Sequence, residues 1–381
     1  MNPQPASVPP RRRLSVLALP AYKRRLLNPF QALLYDEAEL LDLHIEDWSF
    51  GRALLRRVDL WHLHHPDTVV FPRATWQSLI ETCLMFCLLV LARWRGTRIV
   101  WTVHDLDSSD ARHPRLERLF WRYFLPRLDA CIYLSEAGRR LAQERFPSLK
   151  GVPAFISPHG DFRPAYANTV SRSDARAALE LADEVPVVLS FGLIRPYKGI
   201  PELIDTIDRL DANEAVLVVA GRVWDASVEQ DIRQRALDAS GVRLHLRWVS
   251  FDDTQLYFKA CDLVVLPYLR ILNSGTAMLA LAFERPVLVP DRGTMAELGE
   301  RFGSDWVRTY AGDLDVAGLR TAIEWACHTD RAPPDLAGLD WASLALQIRA
   351  IYDATLARQS GMPAAQAASG ANGGANGGAN A

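Results

Sequence analysis

Short apolar runs alternate along this chain with longer segments of helical periodicity, and this alternation constrains the fold more than any other feature. In a parallel sheet covered by helices, buried strands are continuous apolar runs of about four to eight residues. We expect six such strands in the first half, near residues 14–19, 40–45, 59–63, 98–104, 130–134 and 154–156. Five more are expected near residues 187–191, 215–220, 242–249, 263–266 and 287–289.

The two groups of strands predict two α/β domains. The chain has 381 residues, 49% of them hydrophobic, which is enough for two cores of ordinary size. Pro, His, Gly, Asn and Ser cluster around residues 158–173, which indicates a linker there. We expect domains at residues 14–160 and 161–358. The flexible ends are then residues 1–13 and the Gly-, Ala- and Asn-rich tail at 359–381, which is expected to be disordered.

One segment of the second domain has the composition of a phosphate-binding loop. Ser274, Gly275 and Thr276 follow a buried strand and begin an apolar helix. The free backbone N–H groups and the positive end of a helix attract an anion, and the two hydroxyl groups add donors. An ordinary serine N-cap has the same sequence, so this segment alone does not decide between the two interpretations.

A second loop has the cations that a diphosphate needs. Residues 187–191 form a predicted strand that ends in Gly192, and Arg195 and Lys198 follow before the next helix. Arg195 offers a planar fork and Lys198 a point charge, although such a pair is also common on a solvated loop. Ligands of open parallel sheets bind beyond the carboxyl ends of the strands, where both loops fall. We expect the two loops to converge on one departing diphosphate.

The order of the motifs resembles that of a known family. The segments FGLIRPYKGIPELID, LVVAGR, YFKACDLVVLPY and SG…ERPV look like the C-terminal half of a GT-B glycosyltransferase of the group 1-like superfamily, and SPHGDF resembles its interdomain hinge. The resemblance covers most of residues 14–358. It implies two facing Rossmann-like domains with parallel sheets, a sugar-nucleotide donor in the second domain and an acceptor in the first. It also implies nucleotide contacts at Arg222, Val249 and Glu297, although Glu297 also suits a helix N-terminus.

Two acidic residues of the family pattern are missing here. Retaining relatives have two glutamates around the phosphate-binding helix, and the matching positions are Ile271 and Leu279. This carboxylate-free segment is similar to that of the xanthan-type GDP-mannose:glycolipid 4-β-D-mannosyltransferases, which invert the anomeric centre. The resemblance therefore implies an inverting hexosyltransferase.

An inverting transfer needs a base for the acceptor hydroxyl. The segment that follows the strand at residues 98–104 offers His104, Asp105 and Asp107, and we expect Asp105 or Asp107 to be the base. His104 suits a sugar contact or a bond to the backbone equally well. Asp105 and Asp107 also spell the DxD of metal-dependent enzymes, but Arg195 and Lys198 already supply positive charge. We therefore expect no metal and no other cofactor.

The first half of the chain is the basic half. Residues 1–170 contain 23 Lys and Arg against 17 Asp and Glu, and the remainder contains 20 against 28. This asymmetry suits either a solvated face or contact with anionic lipid, while no nucleic-acid-binding module is recognisable. Lys23 and Arg24 are candidates for an acceptor pyrophosphate. Asn28 is a third candidate, although Asn28 before Pro29 more simply begins a helix.

Cysteine usage favours a cytoplasmic protein. Five cysteines lie in apolar patterns without ligand spacing, so we expect reduced, buried thiols, including Cys83 and Cys87. The first residues lack the apolar region of a signal peptide. The longest apolar stretch, residues 79–92, is shorter than the roughly 20 residues that span a bilayer, so a packed helix is expected, with one face that a membrane would suit.

The sequence therefore predicts a glycosyltransferase that moves a hexose, mannose from GDP-mannose, onto a lipid-linked saccharide at the inner face of the plasma membrane. Two alternatives remain open at this stage. One is a sugar-nucleotide 2-epimerase with the same fold. The other is a non-catalytic nucleotide-sugar-binding subunit, since Ile271 and Leu279 replace ionisable residues.

Overall fold

A computed structural model describes residues 12–71, 74–106, 113–211, 213–328 and 330–358. It has two six-stranded sheets in which every strand pair is parallel, which confirms the predicted α/β architecture. The ends of the chain and Asp107 lie outside the described residues. The strands are β1 Leu14–Leu19, β2 Leu43–Asp47, β3 Leu60–Leu63, β4 Arg98–Val103, β5 Ala130–Tyr133, β6 Ala154–Ile156, β7 Val187–Phe191, β8 Val216–Ala220, β9 Val242–His245, β10 Leu263–Val265, β11 Val287–Pro290 and β12 Val307–Tyr310.

Helices connect the strands and cover both sheets. They begin and end as follows: α1 Phe30–Glu39, α2 Phe50–Leu55, α3 Asp67–Val70, α4 Thr75–Arg95, α5 Pro114–Phe124, α6 Glu136–Arg145, α7 Arg172–Ala178, α8 Ile200–Ile207, α9 Ala226–Ala236, α10 Phe251–Ala260, α11 Gly275–Ala282, α12 Met295–Phe302, α13 Val316–His328 and α14 Trp341–Ala357.

The strand order fixes where ligands can bind. The first sheet has the order β2-β1-β3-β4-β5-β6 and the second has the order β12-β11-β10-β7-β8-β9. Successive strands are therefore added first on one side of β1 and then on the other. The same change of side occurs at β7, so the strand order reverses between β1 and β3 and between β7 and β10. A crevice forms at such a reversal, outside the carboxyl ends of the strands. In the second sheet, the loops after β7 and β10 are the two predicted phosphate loops.

The last helix returns to the first domain. Helix α14 packs against α1, so it crosses back from the second domain to the first. Trp341 donates from Nε1 to the Asp161 carbonyl at 2.6 Å, and its ring lies 5.5 Å from the Phe30 ring. A Cβ at Gly160 would lie 2.6 Å from the Trp341 ring. Only glycine therefore fits the hinge at this position.

The longest helix differs from the prediction. Helix α4 has 21 residues, exceeds the 14-residue apolar stretch at both ends and is long and apolar enough to cross a membrane, with 33% of its apolar window buried. A core helix of a soluble protein passes the same test of length and composition. The thiols of Cys83, Cys87 and Cys327 are exposed, so the prediction of buried thiols is wrong for these three and holds for Cys131 and Cys261. Helical spacing does not reveal which of two apolar faces is covered.

Candidate functional site between the two sheets

The two predicted phosphate loops meet at Gly192. A Cβ built on this glycine would lie 3.4 Å from Thr276 Oγ1 and 3.5 Å from Lys198 Nζ, and Gly192 has φ +105°. A side chain here would therefore be strained and would fill the space between the hydroxyl and the ammonium group. The loop after β7 and the first turn of α11 thus face a common space, as the sequence predicted.

The loop after β7 is held in place by a second glycine. Gly199 has φ +64°, and a Cβ there would lie 2.1 Å from the Pro267 carbonyl oxygen in the loop after β10. Lys198, in the short helical turn Pro196–Lys198, is 9% exposed, and its ammonium lies 5.3 Å from the centre of the Tyr268 ring. The Lys198 ammonium therefore lies beside an aromatic ring and faces the space next to Gly192.

Arg195 takes a different position from Lys198. Its guanidinium lies 4.9 Å from the Trp224 ring, and no hydrogen bond to it is found among the described residues. Stacking on tryptophan orients the planar fork and leaves its N–H groups free for a ligand.

Ser274 is the N-cap of helix α11, and this role fits both the phosphate-binding interpretation of the segment and the ordinary N-cap interpretation. Its Oγ accepts a hydrogen bond from the Ala277 N–H at 3.2 Å and lies 3.1 Å from the Tyr268 hydroxyl. The hydroxyl is therefore occupied, while Thr276 and the first N–H groups of α11 remain available to an anion. A Cβ at Gly275 would meet Phe162 at 3.9 Å, an ordinary contact, so the backbone does not demand glycine there.

The predicted base loop lies across the cleft from these cations. Burial and then the charge of Asp105 raise the pKa of Tyr197 to about 12, and Tyr197 is next to Lys198. Asp105 is exposed. Asp105 of the first domain is therefore close enough to the loop after β7 for its charge to act on Tyr197, while Asp107 lies outside the described residues.

Asp67 was missed by sequence reasoning. It begins α3 directly after β3, and burial together with the charge of Asp105 raises the pKa of the Asp67 carboxyl to about 6. The available signal was an acidic residue that follows a predicted strand and a proline. Asp67 is a second carboxyl group near Asp105, at the carboxyl ends of the strands.

His104 belongs to a buried chain of hydrogen bonds. Its Nε2 lies 3.0 Å from Nδ1 of His64, and Nε2 of His64 lies 2.6 Å from the Tyr35 hydroxyl. The same hydroxyl lies 2.7 Å from Nδ1 of His62. These hydrogen bonds to His64, and through it to Tyr35, fix the orientation of the His104 ring.

The chain of hydrogen bonds continues to the last helix, α14. The Tyr352 hydroxyl of α14 lies 2.7 Å from His62 Nδ1, and Thr102 Oγ1 lies 2.7 Å from His62 Nε2. His62 is on β3 and His64 follows it by two positions, so both rings lie on one side of the sheet. Tyr35 of α1 and Tyr352 of α14 both reach His62, so these two helices cover β3 at this point.

Burial keeps these histidines neutral. Burial lowers the pKa of His62 to about 3 and that of His159 to about 4, and burial with the charge of Arg24 lowers the pKa of His65 to about 4. For His64 and His104 the same cause, with repulsion from neighbouring histidines, holds the pKa well below its usual range.

Two contacts hold the cleft closed. Glu297 of α12 accepts from the N–H groups of Glu136 at 3.1 Å and Ala137 at 2.6 Å, at the start of α6 in the first domain. Asn273 donates from Nδ2 to the His104 carbonyl at 3.0 Å. Glu297 therefore stabilises a helix N-terminus in this arrangement, while its predicted ribose contact stays a prediction. Asn273 was missed, and its position just before the N-cap serine was the only signal.

The remaining predicted residues lie around the cleft in different roles. Arg222 is exposed at the end of β8, whereas Val249 is 8% exposed and packed in the core, so only its backbone is available to a nucleotide. Lys23 and Arg24 are exposed after β1, at the reversal point of the first sheet. Asn28 Oδ1 accepts from the Phe30 N–H at 3.0 Å, which favours the helix-start interpretation.

Apolar residues occupy the positions of the missing acids. Leu279 is 6% exposed and packs in the core, and Ile271 lies in the loop whose backbone touches Gly293. Within the described residues, no group of three or more His, Cys, Asp or Glu side chains is arranged to hold a metal ion.

Comparison with known proteins agrees with this geometry. Residues 185–325 match the family described as glycosyl transferases group 1. The chain is 30% identical over 320 residues to a GDP-mannose:glycolipid 4-beta-D-mannosyltransferase of Xanthomonas campestris pv. campestris, covering 82% of this chain and 84% of the relative. A second such enzyme from this organism is 29% identical over the same length.

Solved structures share the fold at low identity. Sucrose-phosphate synthase from Thermosynechococcus elongatus superposes with a TM-score of 0.60 at 14% identity, covering 91% of this chain and 98% of that one. Anabaena HepE in complex with UDP and glucose has a TM-score of 0.57 at 16% identity, covering 91% and 98%. WaaG, a glycosyltransferase of lipopolysaccharide biosynthesis, has a TM-score of 0.55 at 14% identity, covering 92% and 100%.

The two facing parallel sheets and the cleft between them define a GT-B glycosyltransferase. Within that class, the chain belongs to the group 1 glycosyltransferases, in the family of the GDP-mannose:glycolipid 4-beta-D-mannosyltransferases.

The neutral histidines predict that acid destabilises the fold. Unfolded histidines bind protons below about pH 6.5, whereas His62, His65 and His159 stay neutral down to about pH 3 to 4. Each such group removes about 1.4 kcal/mol of stability per pH unit between those limits. Urea unfolding at pH 7.5, 6.0 and 5.0 should show a steep fall in the free energy of unfolding below about pH 6.5.

A pair of variants separates this effect from general acid sensitivity. His159→Gln removes one neutral histidine. The slope of the free energy of unfolding against pH should therefore fall by the contribution of about one proton. His44→Gln makes the same change at an exposed histidine and serves as the comparison variant. Equal slopes in the wild type and His159→Gln would contradict the neutral state of His159.

Proposed function

We propose that this glycosyltransferase moves a hexosyl group, mannose from GDP-mannose, onto a lipid-linked saccharide precursor of an exopolysaccharide, with inversion at the anomeric carbon. The observation that carries the proposal is the convergence of Lys198 and Thr276 on the space beside Gly192. The activity for which the two relatives are named supports the donor, the glycolipid acceptor and the β product. The Anabaena relative of the fold was solved with UDP, which supports a sugar-nucleotide donor for this fold.

The reaction follows from the positions of the charges. The acceptor hydroxyl loses its proton to the Asp105 carboxylate as its oxygen bonds to the anomeric carbon from one face. The bond from that carbon to the donor phosphate breaks on the opposite face, and the diphosphate leaves with the electron pair. Lys198, Arg195 and the first N–H groups of α11 stabilise the negative charge that develops there.

In this proposal, the first domain binds the acceptor and faces the membrane. Lys23 and Arg24 are exposed beside the carboxyl ends of β1 and β3, where an acceptor pyrophosphate would meet them. The basic balance of the first half favours an anionic leaflet as the surface on which the enzyme works. We propose a cytoplasmic enzyme at the inner face of the plasma membrane.

Replacing the two cations tests the diphosphate role. Arg195→Ala and Lys198→Ala should each lower kcat/KM by about 30-fold to 1000-fold, because about 2 to 4 kcal/mol of transition-state stabilisation is lost. Initial rates with GDP-mannose and a lipid-linked saccharide acceptor measure this.

Arg209→Ala is the matched control, since Arg209 is an exposed arginine just after α8 in the same domain. It should retain wild-type turnover. Wild-type rates in both the Arg195 and the Lys198 variants would reject the role of the two loops. Incubation with GDP-mannose alone, followed by analysis of the sugar, separates transfer from epimerisation.

We also propose that catalysis needs no metal, because side-chain cations and helix N–H groups supply the positive charge at the leaving diphosphate. Activity should therefore survive EDTA at concentrations that strip divalent ions. Loss of activity in EDTA with recovery on adding Mn²⁺ would overturn this, and the Arg209→Ala protein provides a second enzyme preparation that should behave as the wild type does.

A further inference from the structure

The two cations of the loop after β7 lie against aromatic rings and not against carboxylates. The Arg195 guanidinium is 4.9 Å from the centre of the Trp224 ring, and the Lys198 ammonium is 5.3 Å from the centre of the Tyr268 ring. Neither side chain forms a salt bridge with any residue that the structure describes. A carboxylate would occupy N–H donors and cancel charge, whereas an aromatic face attracts a cation without neutralising it. Both groups therefore keep their charge for an anion.

The backbone places Trp224 beside Arg195. Ile194 pairs with Val223 in an isolated parallel bridge beyond the ends of β7 and β8. The Ile194 N–H donates to the Arg222 carbonyl at 2.9 Å, and the Trp224 N–H donates to the Ile194 carbonyl at 3.1 Å. Arg195 and Trp224 each follow one member of the bridged pair, so their side chains leave the backbone on the same face.

The loop that contains Trp224 packs directly on the loop after β7. Gly221 has φ +146°, and a Cβ there would lie 1.9 Å from the Gly192 carbonyl oxygen. The Gly192 N–H donates to the Ala220 carbonyl at 2.9 Å. Gly192 is also the residue at which the two phosphate loops meet. Trp224 therefore belongs to a backbone unit that is continuous with the proposed diphosphate site.

Core packing does not account for the Trp224 ring. The side chain is 42% exposed and belongs to none of the three hydrophobic clusters of the described residues, whereas Val223 beside it packs against one of them. Its contact with the Arg195 guanidinium is the ring contact that the structure shows. Tryptophan is the aromatic side chain that attracts cations most strongly.

We propose that Trp224 is a positioning residue for sugar transfer, and that its ring holds the Arg195 guanidinium in place for the leaving diphosphate. This inference rests on the proposed function. A free arginine side chain has many rotamers, and binding an anion costs the entropy of ordering it. Because Trp224 restricts Arg195 before the donor binds, less entropy is lost when the diphosphate binds, and the N–H donors are already in position as its charge develops.

A double-mutant cycle tests whether Trp224 acts through Arg195. Trp224→Leu should weaken the binding of GDP by about threefold to tenfold, the range expected for a partly exposed cation–π contact. In Arg195→Ala protein the same change should have less than about a twofold effect, because the cation is absent. Isothermal titration calorimetry gives the Kd of all four proteins, and initial rates should show the same coupling in kcat/KM.

Pyrophosphate distinguishes positioning from stacking on the nucleobase. If Trp224 acts through Arg195, Trp224→Leu should weaken the binding of inorganic pyrophosphate by the same factor as the binding of GDP. A ring that stacked on the base would affect GDP alone. Trp224→Phe keeps an aromatic face and should recover most of both affinities.

The first domain provides a matched control. Tyr123, at the end of α5, has the Arg127 guanidinium 3.4 Å from the centre of its ring. Tyr123→Leu also removes the ring of a cation–π pair, and it should bind GDP and pyrophosphate as the wild type does. Circular dichroism and thermal melting confirm that each variant is folded.

Three results would overturn the inference alone, all with GDP binding weakened in Arg195→Ala protein. They are wild-type affinity in Trp224→Leu, an equal loss from Trp224→Leu with and without Arg195, and a loss confined to GDP while pyrophosphate binding is unchanged. Wild-type GDP affinity and turnover in Arg195→Ala protein would instead reject the proposed diphosphate role of Arg195, and the positioning role would fail with it. The two failures are therefore distinguishable.

Discussion

The packing of α14 across the two domains is the interaction on which the rest of the structure depends. Trp341 fills the space beside Gly160, donates to the Asp161 carbonyl and contacts Phe30, so the hinge, the second domain and the first are joined at one side chain. Further along the same helix, Tyr352 reaches His62 in the first sheet. These buried contacts, together with the bonds of Glu297 and Asn273 across the cleft, set the distance between the two sheets and therefore the width of the cleft.

This arrangement explains why the site is built from the carboxyl ends of strands in both sheets. The order reversal between β7 and β10 places Lys198 and Thr276, from the two loops, around the space beside Gly192. Opposite them, the loop after β4 presents Asp105. The charged side chains of the two loops that face Gly192 are cations, and Ile271 and Leu279 occupy the positions where the resemblance implies acids. In the proposed transfer, the absence of those two carboxylates leaves less negative charge near the diphosphate.

Much of the fold follows from the sequence, because buried parallel strands are written as apolar runs. Strands β1, β6 and β7 have the predicted bounds, whereas β12 was missed because Val307–Tyr310 is a short edge strand with polar alternate positions. The phosphate loops were predictable from glycine, cation and helix-start signals within a few residues. The partners of His62 were not, since Tyr352 lies 290 residues away and pairs with it only through the crossing helix. Likewise, nothing in the spacing of Cys83 and Cys87 tells which face of an all-apolar helix is covered.

The hydrogen bonds across the cleft indicate different roles for the two domains. Glu297 and Asn273 of the second domain bond to backbone groups of the first, so they align α6 and the Asp105 loop without using a side chain of the acceptor site. Backbone groups are the same whatever residue occupies the position, so this alignment tolerates changes in the acceptor loops. In the proposed reaction, the second domain binds the donor, and its contacts align the two domains. The first domain is then free to specialise for the proposed acceptor through exposed residues such as Lys23 and Arg24.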